Sequence, residues 1–147
     1  MSDAGFELGT DGPNVILVAI DGSTTSMRAG AYAAGLARRQ GSRLVIGHVV
    51  ASPVAYDARA GTAMAAASEE VAEQVGVEVI EGATRLGLDV DYRVAHGSVY
   101  AELIAMADEV RAEMVVVGAS ASLGHRVLGS LGARLIKSGR WPVVVVP

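Results

Sequence analysis

The stretch VILVAIDGS, residues 15–23, decides how the rest of the chain is read. Val15 to Ile20 is an unbroken apolar run of strand length. A strand with one wet face alternates apolar and polar residues, whereas an unbroken run belongs to a strand covered on both faces, as in a parallel sheet under helices. The run stops at Asp21-Gly22-Ser23, residues that favour turns, and Ser23 stands where it can cap a helix. That helix is expected from about Ser23 to Gln40, with Arg38 and Arg39 at its negative dipole end and Gly41 closing it.

Outward from this unit the same alternation recurs. RLVIGHVV (43–50) reads as a second strand, followed by an irregular connection from Ala51 to Gly61 that contains Pro53. A long helix is expected over 62–86, where Met64, Ala67, Val71, Val75, Val79, Ala83 and Leu86 form one apolar face. Gly76 and Gly82 weaken it, each by about 1 kcal/mol against alanine. Asp89–Ala95 is a third strand ended by His96-Gly97-Ser98, and Ser98 can cap a helix over 99–111 with Val99, Leu103, Ile104, Ala107 and Val110 buried. EMVVV (113–117) is a fourth strand, a small-residue loop follows, 130–138 is a short helix, and VVVV (143–146) is a fifth strand behind Pro142. This order predicts an α/β fold: a doubly wound parallel sheet of five strands with helices on both faces. Residues 1–14 read as a flexible lead-in and 15–147 as one domain.

Composition narrows the function. The chain has 147 residues, 51% of them hydrophobic but only 4% aromatic, so alanine and branched aliphatics must fill the core between layers. It has no cysteine, which excludes a disulfide scaffold, thiol catalysis and cysteine-ligated metal. Twelve basic against sixteen acidic residues, a net charge of −4, leave no basic footprint for nucleic acid. No run approaches a membrane span, and the first ten residues are unlike a signal peptide. The expected location is the cytoplasm.

In open parallel sheets, ligands bind beyond the carboxyl ends of the strands where strand order reverses. There the chain places Asp21-Gly22-Ser23, Val49-Val50, His96-Gly97-Ser98 and Gly118-Ala119-Ser120. If the first and fourth strands are neighbours, Asp21 and Gly118 share a crevice. GASASLGHRVLGS (118–130) is nearly free of bulky groups before His125, and Gly129-Ser130 would set unpaired amides and a hydroxyl at a helix N-terminus, where an anion is favoured. The lysine of a G-x-x-x-x-G-K-[ST] loop is missing, as is a G-x-G-x-x-G after the first strand. The segment is therefore either a phosphate loop or a tight strand-to-helix connector. Asp21 is likewise a ligand contact or a cap for the following amides.

Other polar residues read more simply. His48 lies inside an apolar strand as a satisfied core or sheet-edge histidine, and three dispersed histidines define no metal site. Ser23, Ser98, Ser120 and Ser130 read as caps or backbone partners and form no Ser-His-Asp arrangement. Glu69, Glu70, Glu73 and Glu81 read as a solvated helix face, and Trp141 as a packing residue. Val143, Val144, Val145 and Val146 are different: four valines on a terminal strand without a charged gatekeeper would aggregate as an open edge. A second copy covering them predicts a homodimer about a two-fold axis.

The segments ILVAIDGS (16–23), GHVV (47–50), HGS (96–98), VVVGAS (115–120) and GSLGARLIKSGRWPVVVV (129–146) together resemble the universal stress protein family, over nearly the whole chain from Val15. The resemblance implies an adenine nucleotide alpha hydrolase-like fold with strand order 3-2-1-4-5, and dimerisation through the last strand. One branch of the family binds ATP through G-2x-G-9x-G-[ST] after the fourth strand. Carried onto this chain, the resemblance puts Asp21 and Val49 on the adenine side, Gly118 against ribose and phosphate, and Gly129 with Ser130 on the phosphates. The second glycine of the motif is Ala121 here, and seven residues rather than nine separate it from Gly129. A positive φ at Ala121 would cost about 1 kcal/mol or more. Gly124 offers an alternative source of flexibility, and Arg126 either supplies charge to an anion or is solvated.

The expected function is a regulatory module binding ATP or another adenine nucleotide, with Mg²⁺ accompanying ATP, an unidentified protein partner and at most slow ATP hydrolysis. The alternative is a nucleotide-free dimeric interaction protein that has lost ATP binding.

Overall fold

The computed structural model describes residues 12–51, 58–122, 125–127 and 129–147, with side chains described except at 58–60, 121–122 and 125–127. Its elements run β1 (Val15–Ala19), α1 (Thr24–Gln40), β2 (Arg43–Ala51), α2 (Ala58–Arg85), β3 (Val90–Gly97), α3 (Val99–Val110), β4 (Met114–Gly118), β5 (Ser120–Ser122), β6 (His125–Val127), α4 (Ser130–Ser138) and β7 (Val143–Val146). Five strands form one sheet in the order β3-β2-β1-β4-β7, and every pairing in it is parallel. This is the expected order, with β7 as the fifth strand of the sheet.

The unbroken apolar runs divide residue by residue between two cores. Ile16, Val18, Leu44, Ile46 and Val116 face one side, where alanines of α1 (Ala29, Ala33, Ala37) and Val75 of α2 close over them. Leu17, Val45, Val115 and Val117 face the other, against Leu103, Met106, Ala107 and Val110 of α3 and Leu135 of α4. β1, β2 and β4 thus bury both faces, which is why their sequences do not alternate. The alanine richness of α1 lets it lie close on the sheet.

Helix ends follow their expected chemistry in part. Ser23 caps α1, its Oγ accepting the Ser26 N–H at 3.3 Å, and Gly41 closes that helix at φ 68°. Ser98 occupies the N-cap of α3, but its hydroxyl makes no capping bond, contrary to expectation. Before β1, Asn14 donates its N–H to Glu113 at 2.9 Å and accepts the Arg43 N–H at 2.8 Å, while residues 1–11 lie outside those described.

Besides Val99, which is exposed although the stripe of α3 predicts it buried, two expectations need correction. α2 starts earlier than Thr62, and among its described residues only Ala72, Val75, Gly76 and Ala83 are deeply buried, with Val79 packed beside them. Met64, Ala67, Val71 and Leu86 are exposed. The helix is longer than the sheet it covers, so its periodic stripe outruns the apolar surface available to bury it. Gly76 does not interrupt it: a Cβ there would come within 2.6 Å of the Tyr92 ring, whose hydroxyl donates to the Ala72 carbonyl at 2.6 Å. The glycine makes room for that anchor. Secondly, the small-residue loop after β4 contains an antiparallel ribbon, in which Ser120 pairs with Val127, Ala121 with Arg126 and Ser122 with His125.

Candidate functional site: a cleft at the ends of β1 and β4

β1 and β4 are neighbours, so the loops that leave their carboxyl ends face each other. Between them lies a cleft of about 580 Å³, within the roughly 300–1,000 Å³ of small-ligand sites. Asp21, Val49, Gly118, Gly129 and Ser130 all line it. Residues proposed from four separate stretches of sequence therefore meet in one place. Of the remaining proposed residues, Ala121 is described only as backbone in β5, the side chain of Arg126 lies outside the described ones, and Gly124 lies outside the described residues altogether.

The Asp21 turn is built by its own neighbours. Asp21 Oδ1 accepts the Ser23 N–H at 2.8 Å, and the Asp21 N–H donates to Ser26 Oγ at 3.2 Å. The Ser26 hydroxyl in turn donates to the Ser23 carbonyl at 2.9 Å. Gly22 takes φ 89°, which a side chain would resist. Partial desolvation pushes the Asp21 pKa up, but hydrogen bonds from the Ser23 side chain and backbone and from Ser26, helped by nearby His48, outweigh it. The carboxyl is held below its ordinary range and stays ionised at neutral pH. Asp21 braces the turn and borders the cleft.

Gly118 meets a different constraint from the one expected. A Cβ at 118 would lie 2.5 Å from the Thr25 carbonyl carbon and 2.7 Å from the Ser26 nitrogen. The first turn of α1 packs directly on this position, so glycine is required by helix-on-strand approach whatever the cleft holds. Gly129 is the N-cap of α4 with φ −72°, an ordinary backbone angle. A Cβ there would meet the Ser120 hydroxyl, which would have to turn aside to admit a larger residue. The two ends of the ribbon-bearing segment are thus pressed together. Sequence reasoning missed this contact, because it follows from the ribbon pairing and has no local signature. Ser26 was also missed, although its place three residues after Ser23 is a spacing that capping could have suggested.

The α4 N-terminus carries no acidic residue in its first turn and no side-chain cap. Its amide groups are available to an anion in the cleft. Among the described lining residues Asp21 is the only charged one, and none is lysine or arginine.

Neither His48 nor His96 lines the cleft, and the side chain of His125 lies outside the described ones. His48 is 5% exposed, and its Nδ1 has no hydrogen-bond partner among the described residues. It is a core histidine as expected, but not a satisfied one. Burial drives its pKa down, against the pull of Asp21, a hydrogen bond to the Ile20 backbone and Glu69. His96 is paired with Glu69, so that glutamate does more than solvate a helix face. Among the described residues no group of three histidines or carboxylates could hold a metal ion. No helix among them is long and apolar enough to cross a membrane.

Residues 13–147 match the model of the universal stress protein family. No curated protein matches the chain. Among solved structures, a universal stress protein family member from Burkholderia pseudomallei is 28% identical with a TM-score of 0.76, covering 91% of this chain and 96% of its own. A universal stress protein in complex with cAMP is 26% identical with a TM-score of 0.73, covering 93% and 99%. A family protein from Arabidopsis thaliana with AMP bound shares the fold at 18% identity and a TM-score of 0.69, covering 91% of each chain. With the family model spanning all but the first residues, and with the sheet order and cleft just described, this chain belongs to the universal stress protein family.

Proposed function

We propose that this chain is a regulatory module that binds ATP or another adenine nucleotide in the β1–β4 cleft and works as a homodimer with little or no catalysis. The observation that carries the reading is the convergence of Asp21, Val49, Gly118, Gly129 and Ser130 on one cleft of nucleotide size. In it the base would lie towards Val49 and Asp21, whose ionised carboxylate can accept from an amine or a ribose hydroxyl. The phosphate would meet the uncapped amides of α4 at Gly129 and Ser130. Relatives holding cAMP and AMP support the ligand class. Mg²⁺ arriving with ATP would be held by phosphate oxygens and water, since Asp21 is the only carboxylate among the described lining residues. A cytoplasmic site of action and a protein partner that reads the nucleotide state complete the proposal.

The test begins with denaturing freshly purified protein and running the supernatant by anion exchange. Calorimetric titration of ATP, AMP and cAMP follows. Co-purified nucleotide or micromolar binding is expected. Gly129→Val should remove binding while the far-ultraviolet circular dichroism is unchanged, and unaltered affinity would break the phosphate assignment. A second reading has its own observation. The closure of Ser120 on Gly129, with the shortened loop, favours a nucleotide-free interaction protein. No co-purified nucleotide and no heat with any of the three would select it.

A further inference from the structure

We infer that the groove between α1 and α2 is a second ligand site, separate from the cleft, for a medium-chain aliphatic carboxylate. The groove has a volume of about 370 Å³, within the roughly 300–1,000 Å³ of small-ligand sites. Ile20, Leu44 and Ile46 form its floor, with α1 on one side and the C-terminal part of α2 on the other. Glu78 and Arg85 are its only charged lining residues among those described, and the rest are apolar or glycine. Only Ile20 borders both this groove and the β1–β4 cleft.

Two residues of α2 point to the occupant. Glycine inside a helix is less stable than alanine, yet packing among the described residues gives no reason for Gly82. A Cβ there would meet no neighbouring element, and the nearest side-chain atom is Arg85 Nη2, 3.9 Å away. The space that Gly82 leaves open is groove. Arg85 supplies the charge. Its guanidinium is folded back beside Gly82, and it makes no hydrogen bond or ion pair with another described residue. An unpaired guanidinium at an apolar cavity is matched by a carboxylate, which its fork of N–H donors binds through two parallel bonds. Glu78 stands seven residues earlier on the same wall, about 10 Å along the helix. Its charge repels a second anionic group at that end. The groove therefore suits one anionic head at Arg85 and an uncharged hydrocarbon tail lying over Leu44, Ile46 and Ile20, where each buried methylene adds affinity.

Calorimetry on the full chain at neutral pH, with decanoate, hexanoate, decan-1-ol and decyltrimethylammonium, tests this. Decanoate should bind at one site per chain, at least tenfold more tightly than each of the other three. Arg85→Gln should weaken decanoate at least fivefold and leave decan-1-ol unmoved. Gly82→Leu should fill the groove, so that decanoate binding is lost while the melting temperature holds or rises. None of these outcomes depends on nucleotide binding in the cleft. Decan-1-ol or decyltrimethylammonium matching decanoate would overturn the pairing with Arg85. Decanoate binding retained by Gly82→Leu would overturn the groove as its site. No saturable heat with decanoate would overturn the inference altogether, and a changed sedimentation coefficient for Gly82→Leu in that case would give the groove to a second copy of the chain.

Discussion

At the scale of single residues, the chemistry concentrates where a carboxylate and a histidine influence each other across β1 and β2. Asp21 is held ionised by Ser23 and Ser26, while His48 is held neutral by burial. The sign of the consequence follows from linkage. A histidine whose folded pKa lies below its unfolded value of about 6.5 contributes stability that is complete above that value and is lost as pH falls. The protein should therefore become easier to unfold with urea as the pH falls from 7 to 5. His48→Asn should flatten that part of the profile, whatever it does to stability at pH 8. An unchanged slope in the variant would mean that His48 is not the group responsible. Both residues stand out in the sequence, one after a strand and one inside it. The missing partner of Nδ1 does not, because it depends on what α2 and the β1 turn bring alongside.

At the scale of elements, α2 is the most loosely specified and its attachment the most local. It touches the rest of the molecule mainly through Ala72, Val75, Val79 and Ala83, through the pairing of Glu69 with His96, and through the bond from Tyr92 to the Ala72 carbonyl. A half-buried neutral hydrogen bond of this kind contributes about 0.5–1.5 kcal/mol. Tyr92→Phe should lower stability by about that amount, and hydrogen exchange should show the loss as faster opening of α2 than of α1. Equal acceleration throughout would mean that the bond serves the whole fold rather than this helix. The start and end of α1 and the end of α4 are legible because Ser23, Gly41 and Gly139 stand at them as cap and breakers. The buried face of α2 is not, since periodicity marks apolar positions but cannot say where the sheet beneath them ends.

At the scale of the whole molecule, the two edges of the sheet are built differently. β3 carries Asp91 and Arg93, tied to Arg43 and Glu109 by ion pairs, the charged edge that discourages further pairing. β7 carries four partly exposed valines and pairs on one side only, with β4. That asymmetry argues that β7 is where a second copy joins, which would bury Val143 to Val146 about a two-fold axis. Sedimentation equilibrium should give a dimer for the unaltered chain and a monomer for Val144→Lys with its near-ultraviolet circular dichroism retained. A monomer at all concentrations in the unaltered chain would remove this assembly.

The sequence by itself determined the element order, the parallel sheet and the places where chemistry could stand. Those follow from short-range facts: unbroken apolar runs, caps, breakers and a spacing resembling a known family. It also named five residues that line the cleft. Only the tertiary structure decided what each of them meets. Gly118 is glycine because α1 packs on it, and Gly129 lies against the Ser120 side chain. The ribbon closes a loop that the sequence shows merely as small and short. Such contacts join positions far apart in the chain or folded back across a turn. Neither periodicity nor spacing records them, because they come into being only when the layers pack.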